Sequence, residues 1–228
     1  MGDCIVLRPD FTRGAFRVKD PMSALTHFIA LCLSAVGMPV LLIRASYCGA
    51  GVEAMISFSV FMFSMILLYS ASTAYHSFHI SDKADRVLKK LDHMMIFVLI
   101  AGSYTPVCTQ ALGTRSGLWV LIYIWCAAAL GIIFKALWVG CPKWVSSVIY
   151  ISMGWTALFV ILPLYRALGW AAFSWLLAGG VAYTLGGLVY VIPGRKGALF
   201  GPHELFHIFV MLGSFCHYMM MVLYLVRM

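Results

Sequence analysis

Two histidines four residues apart open the last long apolar run, in His203-Glu204-Leu205-Phe206-His207. On a helix, positions i and i+4 share a face, so both imidazoles can reach one divalent cation. Ser72 and His76 form a second i, i+4 pair near the end of the second apolar run, and Asp92 opens the third. Ionisable groups in apolar segments are costly without partners, so these residues call for an explanation. His76, His203 and His207 would supply the three nitrogens of a catalytic zinc site, leaving a fourth position for water. Asp92 would hold that water or act as general base, and Ser72 would orient a ligand or the substrate. The plainer alternative is a set of interfacial histidines, with Asp92 paired to Lys89 or Lys90.

The elements that must carry these residues follow from composition. The chain has 228 residues, of which 63% are hydrophobic and 11% charged, and its mean hydropathy is +0.95. Only a bilayer tolerates so much apolar surface. Long runs with few breaks indicate helices, since a barrel would show short alternating segments. The expected fold is an all-α membrane protein, a seven-transmembrane helix bundle. A basic leader over residues 1–21 precedes a single membrane domain over 22–228. Apolar runs are expected at about 22–43, 54–78, 91–111, 118–139, 144–163, 170–192 and 203–226, each long enough to cross a hydrocarbon core of ~30 Å. Pro39, Pro106 and Pro163 should end or bend their helices.

The formal net charge of +8 does not point to nucleic acid, because the basic residues fall between apolar runs. With the N-terminus cytoplasmic and the C-terminus outside, twelve of the Lys and Arg side chains lie in inner segments. Only Arg44, Arg115, Arg166 and Arg227 lie outside. That asymmetry follows the positive-inside rule. The seven cysteines are scattered singly with no CxxC, so they read as small core residues rather than as a disulfide or thiolate-zinc framework. No cleavable signal peptide is expected in the polar, basic leader. Gly179, Gly180, Gly186 and Gly187 should let a neighbouring helix approach closely.

In this orientation six histidines sort to the cytoplasmic ends of their helices: His27, His76, His79, His93, His203 and His207. Only His217 lies deeper, about 15 Å further along the last helix. His79 and His93 are expected to face headgroups, and His27 and His217 to make buried hydrogen bonds. Unrelated histidines would not gather in one leaflet. The polar groups stop there, which argues against a channel lined through the membrane.

Several elements together resemble the hemolysin III branch of the adiponectin-receptor family. They are Asp20-x5-Thr26-His27, Ser72-x3-His76, Leu91-Asp92 with Ala101-Gly102-Ser103-Tyr104-Thr105-Pro106, and His203-x3-His207. The resemblance runs from about Asp20 to the C-terminus. It implies a seven-helix, N-in fold with Zn2+ held by His76, His203 and His207 near the cytoplasmic side, Asp92 beside the metal-bound water and Ser72 nearby. It also implies a place in the bacterial cell (inner) membrane. Through the related alkaline ceramidases it implies hydrolysis of a lipid amide.

The first functional expectation is therefore a zinc-dependent hydrolase of a lipid amide or ester that affects membrane lipid composition. The second is a receptor or membrane-state sensor with a structural zinc, and the third a pore-forming cytolysin. Membrane lipids are the expected environment and substrate source, and self-association is left open. His203-Glu204-x-x-His207 also matches the zinc-protease signature, in which the Glu is the base. No other protease feature accompanies it, and Glu204 is expected to face headgroups or a basic link residue.

Overall fold

A computed structural model describes residues 18–193 and 200–228, and all regular structure among them is helical. The elements are α1 (Pro21–Tyr47), α2 (Val52–Ser77), α3 (Asp82–Gln110), α4 (Thr114–Leu137), α5 (Lys143–Gly154), α6 (Ile161–Val191) and α7 (Pro202–Leu223). A 3-10 segment, Trp155–Val160, joins α5 to α6, and another, Leu225–Arg227, follows α7. Most of the basic leader and the link holding Arg195 and Lys196 lie outside the described residues.

Helix starts carry the expected chemistry. Proline occupies the first position of α1 and α7, where its missing N–H has no helical partner to lose. Ser81 caps α3 by accepting from Ala84 N at 3.2 Å, with Asp82 and Asp85 in the first turn, where the helix dipole favours negative charge. That cap starts α3 about nine residues before its apolar stretch. Pro39 and Pro106 both lie inside helices.

Among the described residues, six helical runs are long and apolar enough to cross a membrane: α1, α2, α3, α4, the continuous stretch Lys143–Val191, and α7 with its tail. The stretch Lys143–Val191 has 49 residues, which as one straight helix would be about 74 Å long, over twice the hydrocarbon thickness. It is not straight. Gly169 sits at φ 67 and ψ 170, a conformation that only glycine adopts without strain, and it interrupts the helix between Leu168 and Trp170. Upstream, the Tyr104 hydroxyl donates to Gly154 O at 2.6 Å and accepts from Ala157 N at 2.8 Å. A side chain inserted into the backbone ladder is a known cause of helix distortion, and here it coincides with the 3-10 segment.

In the bundle, α1 packs on α2 and α7, α2 on α3, α3 on α5, α5 on α6, and α6 on α7, closing a ring, while α4 lies outside against α3. The main core is made by Phe58, Phe61, Met62, Leu68, Leu99 and Met220. Large apolar side chains such as Leu33, Val36, Leu130 and Phe159 point outward, as lipid-facing surface should. Three of the four paired glycines of α6 meet close neighbours. A Cβ on Gly179 would strike the His217 ring, one on Gly186 would meet Phe209 at 3.0 Å, and one on Gly187 would meet Ile151 at 2.9 Å. Gly180 differs from the expectation: it faces open space and borders the internal cavity.

Candidate metal centre

His76 ends its helix on the bundle side, where it is 3% exposed, and His207 is 2% exposed one turn into α7. With half-buried His203 they form a cluster whose nearest nitrogens all lie within 4.8 Å of one another. His76 Nε2 and His203 Nε2 face each other at 3.2 Å. Around a tetrahedral zinc, ligand nitrogens stand about 3.3 Å apart.

The outer hydrogen bonds decide which nitrogens are free. The Asp20 carboxylate, just before α1, accepts from His76 Nδ1 at 2.9 Å. This bond lowers the Asp20 carboxyl below its usual range. Thr26 spends its only proton on Ser23 O at 2.9 Å, so at His207 Nδ1, 3.2 Å away, it can only accept. Both rings therefore carry their proton on Nδ1 and present the Nε2 lone pair to the cluster, the tautomer that a metal ligand needs. At 3.2 Å, His203 Nε2 can donate to the His76 Nε2 lone pair, or, with the His203 proton on Nδ1, both lone pairs are free for a metal. By donor type, by the His76 and His207 tautomers and by the His76–His203 spacing, the three residues could hold a metal ion such as zinc.

Ser72 and Asp92 both lie buried beside this cluster, at 0% and 7% exposure. Asp92 is next to Ser72 and within electrostatic reach of His76, although the Ser72 hydroxyl makes no hydrogen bond of good geometry. Neither Lys89 nor Lys90 forms an ion pair with Asp92 among the described residues; its near neighbour is His93 Nδ1 at 3.7 Å.

A partly open space of about 160 Å³ adjoins the cluster, roughly ten times what one water requires. Asp92, His203 and His207 line one end, and Leu112, Val120 and Phe173 line the other. On α3 the lining residues span Asp92 to Cys108, about 24 Å of helix. Apart from the histidine end, the walls are mainly apolar.

The remaining histidines divide. His79 is exposed and pairs with Asp85 at 2.8 Å, as expected for a headgroup-facing residue. His93 is not headgroup-facing but buried: Nδ1 donates to Lys89 O at 2.8 Å, and Nε2 lies 3.3 Å from Tyr190 Oη. His27 is buried without the expected hydrogen bond on either ring nitrogen; it stacks on His207 at 3.7 Å instead. His217 makes one hydrogen bond among the described residues, from Nε2 to Leu176 O at 3.3 Å. Among the described residues Glu204 forms no ion pair with a lysine or arginine. Its Oε1 accepts from Ser23 Oγ at 2.7 Å and its Oε2 from Gly201 N at 2.8 Å, so it caps α7 and ties it to α1. Asp20 and Thr26 are the residues that reasoning on helix faces missed. Their only signal was the Asp20-x5-Thr26-His27 element, since their partners lie more than fifty residues away.

A profile for Haemolysin-III related proteins matches residues 16–218. The chain is 35% identical over 216 residues to the Hemolysin-3 homolog of Bacillus subtilis (strain 168), covering 93% of this chain and 97% of that protein. It is 38% identical over 207 residues to Hemolysin-3 of Bacillus cereus, covering 89% and 90% respectively. A more distant similarity, 25% over 226 residues, joins 90% of the chain to 51% of the Adiponectin receptor protein of Drosophila melanogaster. With a profile spanning most of the chain and two near-full-length relatives above 30% identity, this integral membrane protein belongs to the haemolysin III-related family.

Proposed function

We propose that this protein is a zinc-dependent hydrolase of a lipid amide or ester in the bacterial cell membrane. The observation that carries the reading is the cluster itself: His76, His203 and His207 turned toward one point, two of them with Nδ1 protons already committed elsewhere. When bound, zinc supplies Lewis acidity toward a carbonyl and makes water more acidic. The chain supplies the rest. Asp92 takes the proton of the attacking water on its carboxylate and returns it to the leaving amine or alkoxide. Ser72, buried beside it, has a free hydroxyl that can turn to orient that carboxylate or the substrate. The apolar cavity excludes water from all but the histidine end and holds an acyl chain with its carbonyl near Asp92.

The same reading includes seven crossings, N-terminus cytoplasmic. Gly169 divides Lys143–Val191 into two spans, and the basic residues then gather on the histidine side. A sensor with a structural zinc is the competing reading. A structural zinc has a closed set of protein ligands, whereas three ligands beside a cavity leave one position open.

Zinc content of the purified protein tests the site. One zinc per chain is expected in the wild type and none in the His76→Ala, His203→Ala, His207→Ala triple variant; full zinc in that variant would refute the site. Asp92→Ala separates the two functions. Loss of lipid amide or ester cleavage with zinc and fold retained supports the hydrolase, and loss of the fold supports the structural zinc.

A further inference from the structure

At the end of the bundle away from the histidines, two arginines share one surface groove. Arg44 lies in the last turn of α1, about 26 Å along the helix from His27. Arg227 lies in the 3-10 turn that follows α7. With Val40, Ile43, Tyr47 and Cys48 they line a shallow groove of about 460 Å³. Among the described residues neither guanidinium forms an ion pair. Asp20, Asp82, Asp85, Asp92 and Glu204 all belong to the histidine end, and the one described acid at this end is Glu53, exposed at the start of α2. Arginine keeps its charge throughout the physiological pH range. Two such charges on a surface of low dielectric repel each other, and an anion between them removes that cost.

The groove is held in shape from within the protein. Arg44 Nε donates to Val222 O at 2.5 Å, one of the last carbonyls of α7. That bond caps α7 and fixes the guanidinium, while its remaining N–H groups have no protein partner. It accounts for Arg44 but not for Arg227, whose side chain makes no hydrogen bond among the described residues. Guanidinium groups match the oxygens of a phosphate, which they bind through paired, charge-assisted hydrogen bonds.

The surroundings say which phosphate. Tyr47, 88% exposed beside Arg44, marks the level of the lipid headgroups, where tyrosines gather. Deeper along α1, Leu33, Val36, Val40 and Ile43 are all exposed, and their spacing puts them on one helix face, an apolar stripe that ends at the arginines. A free phosphate would meet the arginines and make no use of the stripe; a phospholipid uses both. We propose that Arg44 and Arg227 bind the phosphate of a membrane phospholipid in the leaflet opposite the histidine cluster, with an acyl chain along that stripe. Bound there, the lipid ties the end of α1 to the tail of α7. This goes beyond the hydrolase reading and does not depend on the metal.

The full-length protein in a phosphate-free maltoside detergent would be photolysed with phosphatidylglycerol carrying a diazirine high on one acyl chain, and the labelled peptides mapped by mass spectrometry. Residues 33–48 are expected to be labelled at least about tenfold more by this probe than by diacylglycerol with the same chains and diazirine, because hydrogen bonds between charged groups contribute at least that much. Arg227→Gln should bring the phosphatidylglycerol labelling down to the diacylglycerol level. Arg115→Gln, which removes one charge at the same end but outside the groove, should leave it at the wild-type level. Unlabelled phosphatidylglycerol should compete, and an equal concentration of inorganic phosphate should not. Equal labelling by the two probes would overturn the proposal, as would equal losses in the two variants. Displacement by inorganic phosphate as readily as by the lipid would reduce the groove to a free-anion site and overturn the phospholipid assignment.

Discussion

At the residue scale the centre depends on side chains outside the ligand set. Asp20 and Thr26 fix the protons of His76 and His207, and such partners commonly account for 10–100-fold in metal affinity. Asp20→Ala should therefore weaken zinc binding about 10–100-fold in a chelator competition, with Asp20→Asn in between because the amide oxygen still accepts from Nδ1. Thr26→Val should act in the same direction through His207. An Asp20→Ala protein that competes for zinc as well as the wild type would show that the carboxylate does not tune the site. Glu204 offers a contrast inside the same HExxH string. Its oxygens are used by Ser23 and Gly201, so Glu204→Gln should keep zinc and any hydrolase activity, while a protease would lose its base.

At the element scale, two adjacent glycines on α6 face different surroundings. A methyl on Gly179 would collide with His217, whereas one on Gly180 meets nothing. Gly179→Ala should cost about 1–3 kcal/mol through overpacking. Gly180→Ala should stay within about 0.5 kcal/mol of the wild type. Thermal unfolding in detergent compares them, and equal melting points would contradict the α6–α7 packing described. The spacing of these glycines told of close helix approach but not which member of each pair makes it, because one residue of rotation, about 100°, separates partner from cavity.

At the scale of the whole molecule, the proposed seven crossings depend on the break at Gly169. Reporter fusions in the full chain at Gly140 and Gly169 should read opposite sides of the membrane, with Gly140 cytoplasmic. The same side for both would leave six crossings and move the C-terminus inside. On the proposed reading, two crossings through Lys143–Val191 would have α7 enter from the cytoplasmic side, the same side as His76 at the end of α2. The closed ring of helices makes the cavity, and no single helix outlines it.

Much of this was legible in the chain alone. Apolar runs of membrane length and charged links specify helices in a bilayer, because the cost of bare backbone and unpaired charge in lipid leaves few alternatives. The i, i+4 pairs placed Ser72 with His76 and His203 with His207, since helical periodicity is a local property. Tertiary structure alone decided what lies across a helix gap: Asp20 behind His76, Thr26 behind His207, Glu204 turned to Ser23, and His93 buried against Tyr190. It alone also withdrew Lys135 from the basic link and set it against Cys141 and Ser146. Such partnerships join residues far apart in sequence or across a turn, and depend on helix rotation and depth, which periodicity does not record.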